Sequence, residues 1–175
     1  MQKYISLLRG INVSGHKKIL MADLKALYEG LGFEQIKTYI QSGNVVFEAE
    51  NEDNLAAKIE KAILDKYGFE VPVTIILLAD LGTIMSNNPF LNQVNVDAEK
   101  LHITFLSATP DAVLQQKLEA ISFAPDEFII NENTVYLHCP INYGNSKLTN
   151  TFFESKLKVK ATTRNLKTCN VLLEL

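Results

Sequence analysis

The stretch "IKTYIQSGNVVFEA", residues 36–49, decides the fold because it contains two strands and the turn that joins them. Its two ends, "IKTYIQ" and "NVVFEA", are rich in the β-branched and aromatic residues that favour strands. Ser42-Gly43, between them, is ordinary turn chemistry. The stretch therefore predicts a short β-hairpin, and its flanking segments determine which sheet the hairpin joins.

The segments before the hairpin predict a strand and then a helix. "KYISLLRG" indicates a buried strand from Lys3 to Arg9. The helix that follows places its apolar residues on one face, and we expect it to stop at Gly32. The residues of that face are Leu24, Leu27, Tyr28 and Leu31.

The segments after the hairpin predict a second helix and then another strand. Asn51 or Asp53 can cap this helix, whose stripe is Leu55, Ile59 and Ile63 and whose end is Gly68. In "VPVTIILL" the early Pro72 cannot donate to a β-ladder, so this strand belongs at an edge or begins there. The resulting order, β-α-β-β-α-β, is that of the ferredoxin-like arrangement.

The same pattern recurs in the second half of the chain. "LHITFLS" indicates a strand, and Thr109-Pro110 indicates a helix start with threonine as the cap. We expect that helix to bury Val113, Leu114, Leu118 and Ile121. Residues 131–133 form the turn of a second hairpin, and two helices follow it, in "NSKLTNTFFESKL" and after "TTRN". Their expected caps are Ser146 for the first helix, and Thr162 or Thr163 for the last.

The sequence thus predicts the α+β class, as a tandem repeat of two ferredoxin-like-type (β-α-β-β-α) subdomains. The asparagine-rich residues 87–100 lack periodicity and are the expected junction. The first subdomain would cover residues 1–88. The second would cover residues 89–175 and end in helices. A groove between two such units is a common place for a ligand.

Composition is that of an ordinary globular protein, and the distribution of charge is its informative part. The 175 residues are 47% hydrophobic, with no apolar run of about 20 residues and no signal-peptide pattern, so we expect a cytoplasmic protein with no membrane partner. Two cysteines without a CxxC pair do not make a disulfide framework. Net charge is −3, yet residues 1–20 and 144–168 are basic.

The loop from Gly10 to Ile19 is the first stretch that suggests chemistry. About a dozen residues separate the strand from the helix, and long loops are more often functional than short ones. Gly10 and Gly15 allow close backbone approach, and Lys17, Lys18 and the helix start would suit an anion. The loop matches neither GxGxxG nor a P-loop, so a plain solvated basic loop stays an alternative.

Two polar segments extend this hypothesis. In the hairpin turn "QSGN", Gln41, Ser42 and Asn44 would lie beside Arg9 if the following strand pairs antiparallel with the first. In "NSKLTN" and "KATTRN", capping explains the hydroxyl groups but leaves Lys147, Arg164 and Asn165 unexplained. An arginine beside helix-start amides is a good clamp for phosphate or carboxylate.

Other kinds of site are less favoured. His16, His102 and His138 lack metal-ligand spacing, so we predict no metal and no cofactor, and we leave catalytic activity open. Single-stranded RNA binding would need exposed aromatic residues on the central strands, where the first strand offers Tyr4. Nucleic acid is therefore a weaker candidate partner than a small molecule.

Two stretches carry a resemblance to a known family. "LLRGINVSGHKKILMADLKALYEGLGFEQIKTYIQSGNVVFE" and "SKLTNTFFESKLKVKATTRNLKT" closely resemble the domain of unknown function 1697 family of small bacterial proteins. The family is described as two tandem α+β subdomains, and it implies no agreed activity. Its usual loop is similar to "RGINVGGH", so Ser14 stands where glycine is common. Most of the candidate residues lie in these family stretches.

Our leading hypothesis is a cationic cleft between the subdomains that binds an anionic small molecule, for which a phosphorylated compound is a candidate. The candidate ligand-binding residues are Arg9, Asn12, Lys18, Gln41, Ser42, Asn44, Ser146, Lys147, Thr149, Thr163, Arg164 and Asn165. The alternatives are a single-stranded nucleic-acid-binding module and an interaction scaffold whose motif residues are mainly caps and turns. The sequence does not determine the oligomeric state.

Overall fold

The structure is a computed structural model that describes all residues from 1 to 175. It contains two four-stranded antiparallel sheets and six α-helices, which confirms the α+β class. The chain divides into two compact units: unit 1 comprises Met1–Gly82 with Leu172–Leu175, and unit 2 comprises Thr83–Val171. The domains 1–88 and 89–175 stay a prediction. None of the helices has the length and apolar character needed to cross a bilayer.

Unit 1 contains the predicted hairpin and its flanking elements. Its elements are β1 (Gln2–Leu8), α1 (Met21–Gly30), β2 (Glu34–Tyr39), β3 (Asn44–Ala49), α2 (Leu55–Tyr67), β4 (Val73–Leu77) and the start of α3 (Leu78–Ser86). The sheet order is β2-β3-β1-β4, so β4 is an edge strand and Pro72 lies just before it, as predicted.

The strand register places the end of β1 beside the start of β3. Leu7 pairs with Asn44 on one side and with Thr74 on the other. The amide of Leu8 donates to the carbonyl of Gly43 at 2.8 Å. The loop after β1 and the β2–β3 turn therefore lie at the same end of the sheet, as the sequence predicted.

Aromatic packing dominates the core of unit 1. Phe47 is fully buried and contacts the rings of Tyr4, Tyr28 and Phe33, with the Phe33 centroid at 4.7 Å. The buried Tyr28 hydroxyl lies 2.6 Å from Ser6 Oγ, and burial raises the pKa of Tyr28 above its ordinary value. Tyr4 is part of this core, so it is not an exposed platform for base stacking.

The outer strand β2 is interrupted by a bulge. Its pairing with β3 shifts between Glu34 and Lys37, and Gln35 has a positive φ of 50°. Such a bulge bends the strand and increases its local twist. The Lys37 ammonium group also donates to the backbone carbonyl of Leu175.

Unit 2 has its own sheet and core. It contains the end of α3, β5 (Leu101–Leu106), α4 (Ala112–Glu119), β6 (Glu127–Asn131), β7 (Thr134–His138), α5 (Asn150–Leu157), β8 (Ala161–Asn165) and the start of α6 (Leu166–Glu174). The sheet order is β6-β7-β5-β8, and the hairpin turn at residues 131–133 is confirmed. Leu106, Leu137, Leu148 and Phe153 are among the buried core residues.

The predicted caps of α2, α4 and α5 are wrong. Asn54, with a positive φ of 76°, precedes α2 in place of Asn51 or Asp53. Asp111 caps α4 instead of Thr109, because its carboxylate accepts hydrogen bonds from the amides of Val113 and Leu114 at 2.9 and 3.2 Å. Helix α5 begins later than predicted, and its cap is Thr149 instead of Ser146.

The largest error concerns "ATTRN", which forms strand β8. The helix predicted after "TTRN" is confirmed as α6, which begins at Leu166. Thr162 and Thr163 are therefore strand residues and cap nothing, since β8 pairs with β5 through Thr104 and Thr163. The predicted buried face of α4 is also wrong in part, because Val113 and Ile121 are exposed.

Candidate functional site

The segment between β1 and α1, residues 10–20, is here called the front loop. Five of its residues have positive φ angles between 46° and 78°: Gly10, Asn12, Ser14, Gly15 and Lys17. Left-handed backbone is common for glycine and asparagine and rare for other residues. The loop therefore contains backbone conformations that are rare for Ser14 and Lys17, and we expect hydrogen bonds from other residues to stabilise its shape.

Asn12 supplies that support. Its Nδ2 donates to the carbonyl oxygens of Ile19 at 2.9 Å and Gln41 at 2.8 Å, and its Oδ1 accepts from the Ile19 amide at 2.9 Å. The Asn12 backbone amide also donates to the Lys17 carbonyl at 3.1 Å. One side chain thus connects both arms of the front loop to the β2–β3 turn.

Further contacts fix the front loop at its ends. The Arg9 amide donates to the Pro72 carbonyl at 3.0 Å, and the Lys17 ammonium donates to the Glu70 carbonyl at 2.5 Å. Gly43 has a positive φ of 82°, and a Cβ there would lie 2.7 Å from Leu8 Cβ and 2.8 Å from Ile11 Cδ1. Only glycine therefore lets the turn approach β1 this closely.

The β2–β3 turn uses its asparagine for structure and exposes its other polar residues. Asn44 is fully buried, and its Nδ2 donates to the Tyr39 carbonyl at 2.9 Å and to Ser42 Oγ at 3.0 Å. Gln41 and Ser42 are exposed. Of the predicted residues in this turn, Asn44 therefore holds the turn, whereas the contact of Gln41 and Ser42 with a ligand stays a prediction.

The start of α1 is the most suggestive part of this end of unit 1. Its N-cap is Leu20, which provides no side-chain hydrogen bond to the first turn. Lys18 lies two residues earlier, and it is exposed. The first acidic residue of the chain is Asp23, inside that first turn. Uncapped helix amides beside an exposed ammonium group favour an anion.

In unit 2, the predicted residues of "NSKLTN" mostly serve local structure. Ser146 Oγ accepts from the Leu148 amide at 3.0 Å, and Thr149 Oγ1 accepts from the Phe152 amide at 3.2 Å. Lys147 is exposed and lines a surface cavity of about 420 Å³ together with Asn142 and Asn145. Lys147 is the one candidate residue of this segment that lines a cavity.

The residues of "TTRN" are held by a different network. Thr163 Oγ1 lies 2.6 Å from Thr104 Oγ1 and donates to Asn150 Oδ1 at 2.7 Å. The Arg164 guanidinium donates to the Thr163 carbonyl at 2.9 Å, and burial lowers the pKa of Arg164 to about 10, so it keeps its charge at neutral pH. Asn165 Oδ1 accepts from the Thr168 amide at 2.8 Å, at the start of α6.

The two thiols are buried, and His102 packs against an aromatic ring. Burial raises the pKa of Cys169 to about 12 and raises the pKa of Cys139, so neither is a ready thiolate. The chain has no cluster of three metal-ligating side chains. His102 stacks on Tyr143 at 4.4 Å, and burial lowers its pKa.

The structure therefore brings the predicted residues together in two sets. In unit 1 the front loop and the β2–β3 turn are joined through Asn12, and in unit 2 Thr149, Asn150 and Thr163 are neighbours. That these two sets share one cleft stays a prediction. Thr104 and Asn150 were not predicted, because a hydrogen bond between sequence-distant side chains leaves no local pattern.

Comparison with known proteins identifies the family to which this chain belongs. A family model described as a protein of unknown function (DUF1697) matches residues 1–136, which is more than half of the chain. A solved structure, that of the conserved bacterial protein SP0830 from Streptococcus pneumoniae, superposes with a TM-score of 0.72 and 21% sequence identity, covering 99% of this chain and 97% of that one. At this identity the likeness concerns the fold alone. No curated protein matches the sequence.

The matched segment has a consequence for the candidate residues. It includes the whole front loop and the β2–β3 turn, and it ends before Ser146. The six candidate residues of unit 2 lie beyond it. The family model therefore covers the front loop and the β2–β3 turn but not the segments near the end of the chain.

Proposed function

We propose that this chain, which belongs to the DUF1697 family of proteins of unknown function, binds an anionic small molecule at the front loop. Arg9 and Lys18 supply positive charge, and the first-turn amides of α1 supply hydrogen-bond donors. Gln41 and Ser42, exposed on the adjacent turn, orient the ligand. A phosphate group fits best, because its oxygens accept several hydrogen bonds and pair with the charges of both lysine and arginine.

The observation that carries this proposal is the uncapped start of α1. A helix normally satisfies part of its first turn with a serine, threonine, aspartate or asparagine cap. Here the cap position holds Leu20, two residues after Lys18 and in a segment without acidic residues. Asp23 inside the first turn weakens the positive field, so Lys18 is needed to make the site attractive to an anion.

Asn12 and Asn44 have a positioning role in this proposal. Their side-chain amides are bonded within the protein, so they fix the loop and the turn that present Lys18 and Gln41. The predicted contribution of Lys147 and Arg164 to the same ligand remains a hypothesis.

Thermal-shift titration with inorganic phosphate tests the proposal. We expect phosphate to raise the melting temperature of the natural protein, and Lys18→Ala to reduce the rise strongly. Lys117→Ala is the matched control, because Lys117 is an exposed lysine on α4. An equal rise in all three proteins would rule out binding at the front loop. Arg9→Ala and Arg164→Ala, alone and combined, then measure whether the two units act on one ligand.

The proposal extends to the fold and to the location of the protein. Each unit has the element order βαββαβ and a sheet in which the first strand lies between the third and the fourth, which supports two ferredoxin-like modules in tandem. We also propose a cytoplasmic location, in keeping with two unpaired, buried cysteines. Measuring the fraction of a tagged chain released by osmotic shock tests this location.

An interaction scaffold is the second candidate function. The observation that favours it is that Ser146, Thr149 and Asn165 are all accounted for by bonds to backbone amides. A scaffold would show no phosphate-induced rise in melting temperature, and it would elute with a protein partner in size-exclusion chromatography. Single-stranded RNA binding is less favoured, because Tyr4 is buried.

A further inference from the structure

The surface cavity of about 420 Å³ in unit 2 is bordered by two hydrogen-bonded turns. In the first turn, the Asp126 amide donates to the Phe123 carbonyl at 3.0 Å. In the second, Asn142 Oδ1 accepts from the Gly144 amide at 2.9 Å, and the Asn145 amide donates to the Asn142 carbonyl at 3.2 Å. These bonds fix the backbone of both turns, so the cavity is preformed, and its volume lies in the range of small-molecule sites.

Two opposite charges line this cavity, the Lys147 ammonium group and the Asp126 carboxylate. Neither charged group forms a hydrogen bond or an ion pair within the protein, and the two do not pair with each other. A lone surface lysine or aspartate is ordinary. Two unpaired charges of opposite sign in one cavity are complemented by a molecule that carries both signs of charge.

The same cavity has an aliphatic wall. Ile121 and Ile141 both line it, and they are 46% and 68% exposed. The sequence pattern predicted that Ile121 would be buried by α4, but that helix ends at Glu119, and Ile121 lies at the cavity instead. A hydrocarbon group held between the two isoleucines would remove apolar surface from water on both sides.

We infer that this cavity binds a free α-amino acid with an aliphatic side chain. Lys147 pairs with the carboxylate of the ligand, and Asp126 pairs with its ammonium group. Ile121 and Ile141 cover the aliphatic side chain. A phosphate ester fits this cavity less well, because the Asp126 carboxylate repels a doubly charged anion. The inference goes beyond the proposed function and is independent of it, since none of these residues lies in the front loop.

Four probes test this ligand class by removing one feature at a time. They are L-leucine, leucinamide without the carboxylate, 4-methylpentanoate without the ammonium group, and glycine without the aliphatic side chain. In amide NMR titrations at pH 7, we expect leucine to shift the signals of residues 121–126 and 141–147. The other three should bind about ten-fold more weakly, because each lacks a charge-assisted contact or a buried hydrocarbon group. No leucine-induced shift in these residues, or equal affinity for any other probe, would overturn the inference.

Lys147→Ala and Asp126→Asn test the two charges. Each should weaken leucine binding about ten-fold. Neither should change the melting temperature of the ligand-free protein, because neither charged group makes a bond within the protein. Lys117→Ala is the matched control, since Lys117 is an exposed lysine on α4 that does not line the cavity. Natural leucine affinity in either cavity variant contradicts the assignment of that charge.

Ile141→Ser tests the aliphatic wall. It should reduce the preference for leucine over glycine about three-fold, because less hydrocarbon surface is buried. Ile129→Ser, at an exposed aliphatic residue of β6 outside the cavity, is the control and should keep the preference. If Ile141→Ser also keeps it, the ligand has no aliphatic group at this wall.

Phosphate titration of Lys147→Ala separates this inference from the proposed function. The variant should keep the phosphate-induced rise in melting temperature, because Lys18 holds the ligand of the front loop. Loss of that rise together with natural leucine affinity would assign Lys147 to the front-loop ligand and overturn the inference. Loss of leucine binding with an unaltered rise supports two separate sites.

Discussion

The front loop of unit 1 and the motif segments of unit 2 (residues 146–150 and 163–165) are both rich in polar and basic residues but use their polar groups differently. In the front loop, one side chain, Asn12, makes most of the internal bonds, and Lys18 remains exposed. In unit 2, Ser146, Thr149 and Asn165 each bond a backbone amide near a helix start. A cluster of polar motif residues is therefore evidence for a ligand only after its internal hydrogen bonds have been identified.

The comparison predicts that the two regions respond differently to mutation. Changes to the internally bonded unit 2 residues should reduce stability and leave phosphate binding unaltered; these residues are Ser146, Thr149, Thr163 and Asn165. Changes to exposed residues of the front loop should do the reverse. Asn12 is the exception, because it lies in the front loop but its side chain is bonded within the protein, so its substitution should reduce stability.

The largest effect is expected for Asn12→Ala. It removes three side-chain hydrogen bonds, each worth about 1 kcal/mol, so the free energy of unfolding should fall by about 3 kcal/mol in urea titrations. Asn12→Asp keeps the acceptor for Ile19 and should lose less. A loss below about 0.5 kcal/mol for the alanine variant, which is ordinary for a surface change, would show that the front loop does not depend on this side chain.

Thr163→Val should have the next largest effect. The change keeps the shape of a β-branched strand residue but removes the bonds to Thr104 and Asn150, so we expect a loss of about 2 kcal/mol in unfolding free energy. In a double-mutant cycle with Thr104→Val, the two losses should not add, because the residues share one bond. Additive losses would contradict a connected network.

Thr149→Ala should cost less. The loss of one N-cap hydrogen bond to the Phe152 amide is worth about 1 kcal/mol. Thr149→Ser retains the cap and should be close to the natural protein, and Thr151→Ala, at an exposed position of the same helix, is the control. If Thr149→Ala instead abolished the phosphate-induced rise in melting temperature, the contrast between the regions would fail at this residue.

The smallest effect is a pH dependence in unit 2. Burial lowers the pKa of His102 below its ordinary value of 6.5, so the unfolded chain takes up a proton before the folded protein does. The contribution of His102 to stability is therefore complete above pH 6.5 and is lost as the pH falls below it. Urea unfolding between pH 7.5 and 5.0 measures the slope, and His102→Phe, which retains a ring against Tyr143, should flatten it.

The sequence was sufficient where local pattern and tertiary structure agree. The β2–β3 hairpin follows from strand-forming residues on both sides of Ser42-Gly43, and the ends of α1 and α2 follow from glycine at residues 32 and 68. Antiparallel pairing then places Asn44 at the end of β1. Each of these inferences needs only neighbours along the chain and one pairing rule.

The sequence was insufficient where pairing decides the local structure. Strand β8 has five residues, and the sequence pattern suggested helix caps or a charged site residue for three of them. Its pairing with β5 makes this segment a strand. The role of Asn12 was missed for a similar reason, since its partners lie 7 and 29 residues away. The sequence shows which polar side chains are present. Their hydrogen-bond partners depend on which segments folding brings together.

The bulge in β2 has a consequence for how the molecule behaves at high concentration. The outermost strand of a sheet offers unpaired amides and carbonyls, which another chain can use as a template for aggregation. In β2 the pairing shift at Glu34–Lys37 and the left-handed Gln35 disturb that row, and charged residues stand on both sides of the interruption. The protein is thereby protected against growth into fibrils along this edge.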